Sequence, residues 1–153
     1  MQDADNIYAP PQAALERDDG TASGALYSAR SVVLATFLGS LLAGGVLLAV
    51  NYRRLGRPGA ARRAIIGALF GEAALLALAL ALPADLHIPN IAFTVAQMFL
   101  MSYLAKLLQG EALRTHVASG GPVASGWAAA GIGLLFGGAL LGGLLFAASR
   151  LQL

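Results

Sequence analysis

Glu72 is the residue whose type and place most invite chemistry. It stands inside GALFGEAALLALALAL (67–82), a run that is otherwise hydrocarbon. A charged side chain at the centre of a bilayer costs about 2.5–3.5 kcal/mol on insertion scales, so an acid there needs a partner. On a helical wheel Ala64, Ala68, Gly71 and Ala79 lie beside Glu72. Small residues let a neighbouring backbone approach, so that face is expected to turn inward. On the next apolar segment Asn90, Thr94, Gln97 and Met101 form a stripe at helical spacing. In an antiparallel hairpin of the two segments, Glu72 and Gln97 fall within about one residue's rise, ~1.5 Å, of the same depth. The expectation is a Glu72–Gln97 hydrogen bond, with Thr94 one turn outward. Such a node either fixes the packing of the hairpin or offers a protonatable site for ion-coupled transport.

Other chemistry is poorly supplied. The chain has no Cys, which excludes disulfides, thiolate metal sites and Cys nucleophiles. His87 and His116 fall in connections expected on opposite faces of a membrane, so they are read as solvated loop residues that cannot share a metal. No zinc-protease, P-loop, nucleophile-elbow or dinucleotide motif is present. No catalytic residue, metal site or cofactor is assigned, and no enzyme activity is expected. A formal charge of +2 gives no case for nucleic acid.

The elements follow from composition. Hydrophobic residues make up 58% of the 153 and charged residues 12%, against about 45–50% and about 25% in soluble proteins. A soluble fold could not bury that much apolar surface; lipid removes the need. Four apolar segments, about 31–50, 64–82, 88–108 and 127–148, are each near the ~20 residues that cross a hydrocarbon core. Backbone polar groups in lipid must pair internally, which makes helices the default. The fold class is therefore all-α, a polytopic membrane protein with four transmembrane helices in an antiparallel bundle (31–153). A polar tail (1–30), broken by Pro10-Pro11, is expected to be flexible and disordered. The connection PADLH is so short that the second and third spans are expected to pair as an antiparallel hairpin.

Small residues spaced four apart recur at Gly39/Ala43, Ser40/Gly44, Gly67/Gly71, Gly133/Gly137 and Gly138/Gly142. This nominates Gly39, Gly44, Gly67, Gly71, Gly137, Gly138 and Gly142 as helix-packing positions. Trp127 and Tyr103 are expected interfacial anchors.

Five arginines, Arg53, Arg54, Arg57, Arg62 and Arg63, crowd the first connection, and Lys106 and Arg114 follow the third span. Only Arg17, Arg30 and Arg150 lie elsewhere. With four spans, the positive-inside rule puts the five arginines in the cytoplasm, against anionic lipid, and both termini in the periplasm.

Two stretches carry a resemblance. NIYAPPQAAL is similar to an N-x-Y-x-P-P-x-A-x-L lead-in of small, uncharacterised multi-pass bacterial proteins. LYSARSVVLATFLGSLLAGG…NYRRLG resembles a group whose first span reads Y-S-x-x-x-V-x-x-A-T-F-L-G and ends N-x-x-x-L-G. The matching positions are Tyr27, Ser28, Val32, Ala35, Thr36, Phe37, Leu38, Gly39, Asn51, Leu55 and Gly56. The departure is Leu41-Leu42, where the group is expected to carry a Pro-containing, turn-like step after the glycine. The resemblance implies a bacterial inner membrane, a tail that is cytoplasmic in some members, and no defined activity.

The functional expectation is action by helix–helix contact with a membrane-embedded partner. A concrete version is an immunity or accessory protein that neutralises a membrane-acting toxin. The alternative is a small oligomeric ion-coupled transporter or channel using Glu72. Partners expected are the lipid bilayer, a membrane protein and a possible homo-oligomer.

Overall fold

The computed structural model describes residues 22–83 and 89–151. They form four helices: α1 (Ala29–Arg54), α2 (Pro58–Ala81), α3 (Asn90–Ala118) and α4 (Gly126–Leu151). Each is long and apolar enough to cross a membrane, and together they match the four expected apolar segments. The expected flexible tail up to residue 21, and His87, lie outside the described residues.

Two helices reach further than their apolar cores. The arginine-rich stretch, expected as a loop, is helical on both sides of a tight turn at residues 55–57, where Gly56 takes φ 71°. Pro58 opens α2, where its fixed φ suits the first helical position and its missing N–H leaves nothing unpaired. Likewise α3 runs on through QGEALRTHVA to Ala118. Tyr103 therefore lies mid-helix, exposed, and His116 is on a helix rather than in a loop.

The larger departure is inside α1. Its 26 residues, laid straight, would span about 39 Å at ~1.5 Å each. Yet the backbone N–H of Tyr27, just before it, donates to Asn51 Oδ1 at 2.8 Å. The N–H of Ser23 likewise donates to the carbonyl of Arg54 at 2.8 Å. The helix turns back at Gly39 (φ −138°, ψ 20°) and Ser40 (φ 69°, ψ −173°). An inbound arm (29–38) and an outbound arm (41–54) thus enter and leave at the same end of the bundle.

This re-entrant hairpin is the core. Within its apolar stretch 61% of residues are buried, against 6% for α2 and 11% each for α3 and α4. The buried cluster draws on Tyr27, Val32, Ala35, Leu41, Ala43, Leu47 and Leu48, with Met101 and Ala105 of α3 and Ala129 of α4. The three outer helices each pack against α1 and make next to no contact with one another. The expected α2–α3 pairing is corrected accordingly. The short connection keeps the two helices near each other in sequence, but α1 takes up the faces they would have shared.

Leu26 bridges to Val123, with hydrogen bonds from Leu26 N–H to the Pro122 carbonyl (3.1 Å) and from Ala124 N–H to the Leu26 carbonyl (2.8 Å). The segment entering α1 therefore sits at the start of α4, and α4 runs to the opposite end. The segment before α1 and the end of α4 therefore lie at opposite ends of the bundle.

Spin labels on cysteines placed at Ser23 and Arg53 read this geometry directly, in a chain with no native Cys. The expected separation is short, well under the roughly 40 Å that a straight helix would impose. A distance near that upper value in lipid nanodiscs rules out the folded-back helix.

Candidate functional site: the polar anchors of the folded-back helix

A helix broken inside lipid exposes backbone groups that nothing in hydrocarbon can satisfy. The side chains that could do chemistry are spent on that problem. At the tip the outbound arm begins with orphan N–H groups. Leu41 N–H donates to Glu72 Oε2 at 3.2 Å, and Leu42 N–H donates to Ser40 Oγ at 3.4 Å. Glu72 is 7% exposed, so the acid does face inward as expected. Its partner differs, and the expected bond to Gln97 is corrected. No hydrogen bond joins Glu72 to Gln97, because α2 and α3 do not pack together and Glu72 reaches a backbone donor on α1 instead. Thr94 and Gln97 are half-buried on α3 and take no part in the tip.

Ser40 holds a positive φ with extended ψ, a region that is otherwise nearly confined to glycine and costs about 1–3 kcal/mol. Two features hold it there. Glu72 caps one side. On the other, α4 presents backbone without side chains. A Cβ on Gly137 would collide with the Leu38 carbonyl, and one on Gly133 would lie 2.9 Å from Leu38 Cβ and 3.0 Å from the Ala35 carbonyl. Gly39 in turn lies against the Gly133 carbonyl. Further along, Gly44 is pressed by Thr36 Oγ1 of the opposite arm and by Met101 Cε of α3. Thr36 itself donates to the Val32 carbonyl at 2.9 Å, which hides its hydroxyl in the arm's own backbone.

The nominated glycines therefore divide. Gly39, Gly44 and Gly137 are close-approach positions, and Gly71 faces Leu41 Cδ1, 3.2 Å from where its Cβ would be. Gly67, Gly138 and Gly142 face open space. Gly45, against Ala68, is a packing position that spacing alone had not nominated.

A second anchor closes the base of the hairpin, and sequence reasoning missed it. The Asn51 amide spans the Tyr27 peptide, accepting from its N–H and donating to its carbonyl at 2.9 Å. Asn51 Nδ2 also donates to Gln109 Oε1 at 2.8 Å, and Gln109 Nε2 donates to the Leu48 carbonyl at 2.8 Å. Asn51 and Gln109 are 2% and 5% exposed, and no buried side-chain N or O among the described residues lacks a partner. Ser28 caps the inbound arm through Ser31 N–H at 3.2 Å. Arg54 donates to the Ala25 carbonyl and stands 5.5 Å over the Tyr27 ring. Ser28 thus starts the hairpin, Gly39 and Ser40 turn it, and Tyr27 and Asn51 close it.

His116 is buried, 3% exposed, and not a solvated loop residue. Its Nε2 pairs with the Pro122 carbonyl at 3.0 Å, under the bridge that ties Leu26 to the start of α4, and Gly121 leaves room for the ring. Among the described residues no three His, Asp or Glu side chains gather where a metal ion could be held. The arrangement donates and accepts hydrogen bonds within the fold; it lines up no nucleophile with a base.

Comparison with protein-family models, with curated proteins and with solved structures finds no match to this chain.

Two variant pairs separate these roles by thermal unfolding in detergent. Glu72→Leu strands the Leu41 N–H and is expected to cost about 1–3 kcal/mol, whereas Glu72→Gln keeps an acceptor oxygen and stays near wild type. Gly137→Ala is expected to cost about 1–3 kcal/mol by overpacking against backbone. Gly138→Ala, one residue away but facing open space, should remain within about 0.5 kcal/mol. Equal losses within either pair contradict the tip geometry.

Proposed function

We propose that this chain is a multi-pass protein of the bacterial inner membrane that acts by contact with another membrane-embedded molecule. The observation that carries this reading is the arrangement of the outer helices. They lean on α1 alone and leave their remaining sides to the bilayer, with Phe70 of α2 73% exposed and Phe99 of α3 74% exposed. Those sides are free to receive a transmembrane helix of a partner or of a second copy. The immunity version of the reading, in which the partner is a membrane-acting toxin, names one such partner class.

Charge supports an orientation. Arg30, Arg53, Arg54, Arg57, Arg62, Arg63 and Arg114 flank the end where the hairpin enters and leaves, with Lys106 about three turns in from that end of α3. Arg150 is at the other end of α4. The positive-inside rule then assigns the hairpin's base to the cytoplasm and the end of α4 to the periplasm. With α1 folded back, this reading favours that orientation over the one with both termini periplasmic.

The alternative, an ion-coupled transporter or channel using Glu72, draws support from the broken helix itself, since irregular backbone at membrane depth often lines a conduction or binding path. Against it, Glu72 is engaged on Leu41, and the slot between α2 and α3 has largely apolar walls.

Photo-crosslinking in intact cells tests the contact reading. A crosslinkable residue at Phe70 or Phe99 is expected to yield a discrete protein adduct, at twice the chain's mass for a homo-oligomer or at another mass for a separate partner. Lipid adducts alone count against it. Coupled flux that disappears in Glu72→Gln, with folding intact, decides for the transporter.

A further inference from the structure

The outbound arm of α1, α2 and α3 enclose a slot of about 480 Å³, within the range of about 300–1,000 Å³ typical of ligand sites. Leu48, Leu104 and Leu108 form its apolar walls. The α2 wall is cut back to Ala64, Gly67, Ala68 and Gly71, and a Cβ on Gly67 would meet nothing within 4 Å. The slot exists because α2 and α3 each pack on α1 and not on each other.

At its basic end, toward the base of the hairpin, the lining changes character. Arg63 of α2 and Tyr52 of α1 border it there, and Tyr52 is held by its hydroxyl on the Leu108 carbonyl at 3.5 Å. Arg62 is next to Arg63 in the chain and Arg57 six residues before it, and no described carboxylate pairs with any of the three.

We infer that this slot binds an anionic phospholipid, one acyl chain between α2 and α3 and the phosphate on Arg63. An apolar cleft facing hydrocarbon does not stay empty, because its lining would forfeit dispersion contacts. The chain that fills it comes from the bilayer. What selects the lipid is its headgroup. A basic residue at the end of an interhelical cleft, on the side that carries the positive charge, is the arrangement that favours an anionic headgroup over a zwitterionic one. The lipid would supply the α2–α3 contact that the chain itself lacks. This inference stands apart from the contact function and survives its failure.

The test is native mass spectrometry of the full chain in neutral detergent, titrated with dioleoyl phosphatidylglycerol and, separately, with dioleoyl phosphatidylcholine. One phosphatidylglycerol per chain is expected, bound about fivefold more tightly than phosphatidylcholine, with the preference removed in Arg63→Gln. Gly67→Leu, whose Cβ would have no protein atom within 4 Å, is expected to weaken both lipids while leaving the thermal transition unchanged. Should that variant misfold, a photoreactive acyl chain on phosphatidylglycerol replaces it, with adducts expected on the slot faces of α2 and α3. Equal affinity for the two lipids, undiminished binding in a folded Gly67→Leu, or adducts confined to α4 each overturn the site.

Discussion

The constraint on which this molecule depends is that a peptide backbone cannot turn round inside hydrocarbon with its N–H and C=O groups unpaired. The chain breaks that rule at Gly39–Ser40 and then repairs the break from two sides. Glu72 takes the first free N–H of the outbound arm. Gly133 and Gly137 bring α4 against the carbonyls that end the inbound arm. An acid in an apolar helix and a run of glycines in another are therefore parts of one device. Each would look like a liability alone, since glycine weakens a helix and a carboxyl resists burial. Together they hold a strained serine at φ 69°.

The base of the hairpin solves a related problem by different means. Tyr27 sits just outside the first turn of the inbound arm, where its peptide groups have no helical partner. A side-chain amide carries a donor and an acceptor on one plane, so Asn51 can satisfy both ends of that peptide at once. Gln109 completes the set by taking the second Asn51 hydrogen and passing its own to Leu48. The tip and the base are thus bound by polar contacts that only this folded-back path can make. A straight α1 would take the Tyr27 peptide from Asn51 and the free Leu41 N–H from Glu72.

Much of the architecture was legible before any coordinates. The four apolar segments, the inward direction of Glu72 and close approach at Gly39, Gly44 and Gly137 follow from side-chain chemistry read along a helix. What was not legible traces to one assumption, that each apolar segment is a straight rod. Straight rods put Glu72 level with Gln97, and the acid was given an amide as partner. A backbone N–H as partner has no letter in the sequence. The clue was Gly39-Ser40 near the centre of the first segment, a glycine-interrupted span of the kind that marks discontinuous membrane helices. Asn51 and Gln109 escaped notice for a simpler reason. Each stood just past an apolar run, where a polar residue is expected to be solvated. Arginine carries helix well beyond the hydrocarbon limit, and the real ends of α1 and α3 enclosed both amides.

The same fold-back reconciles charge with path. Four straight spans require the segment before α1 to share a face with the end of α4, opposite the arginines. With α1 turned round, Arg30 joins Arg53 and Arg54 at one end of the bundle, and Ser23 is hydrogen-bonded to Arg54 itself. The described arginines other than Arg150 then gather at one end of the bundle. A single belt is what a membrane's anionic face can hold, at about 1 kcal/mol for each nearby basic residue. Apolar length alone would let the first segment cross. The belt at its base and the caps at its tip make turning back the better-satisfied path, because crossing would separate Tyr27 from Asn51 and part Leu41 from Glu72.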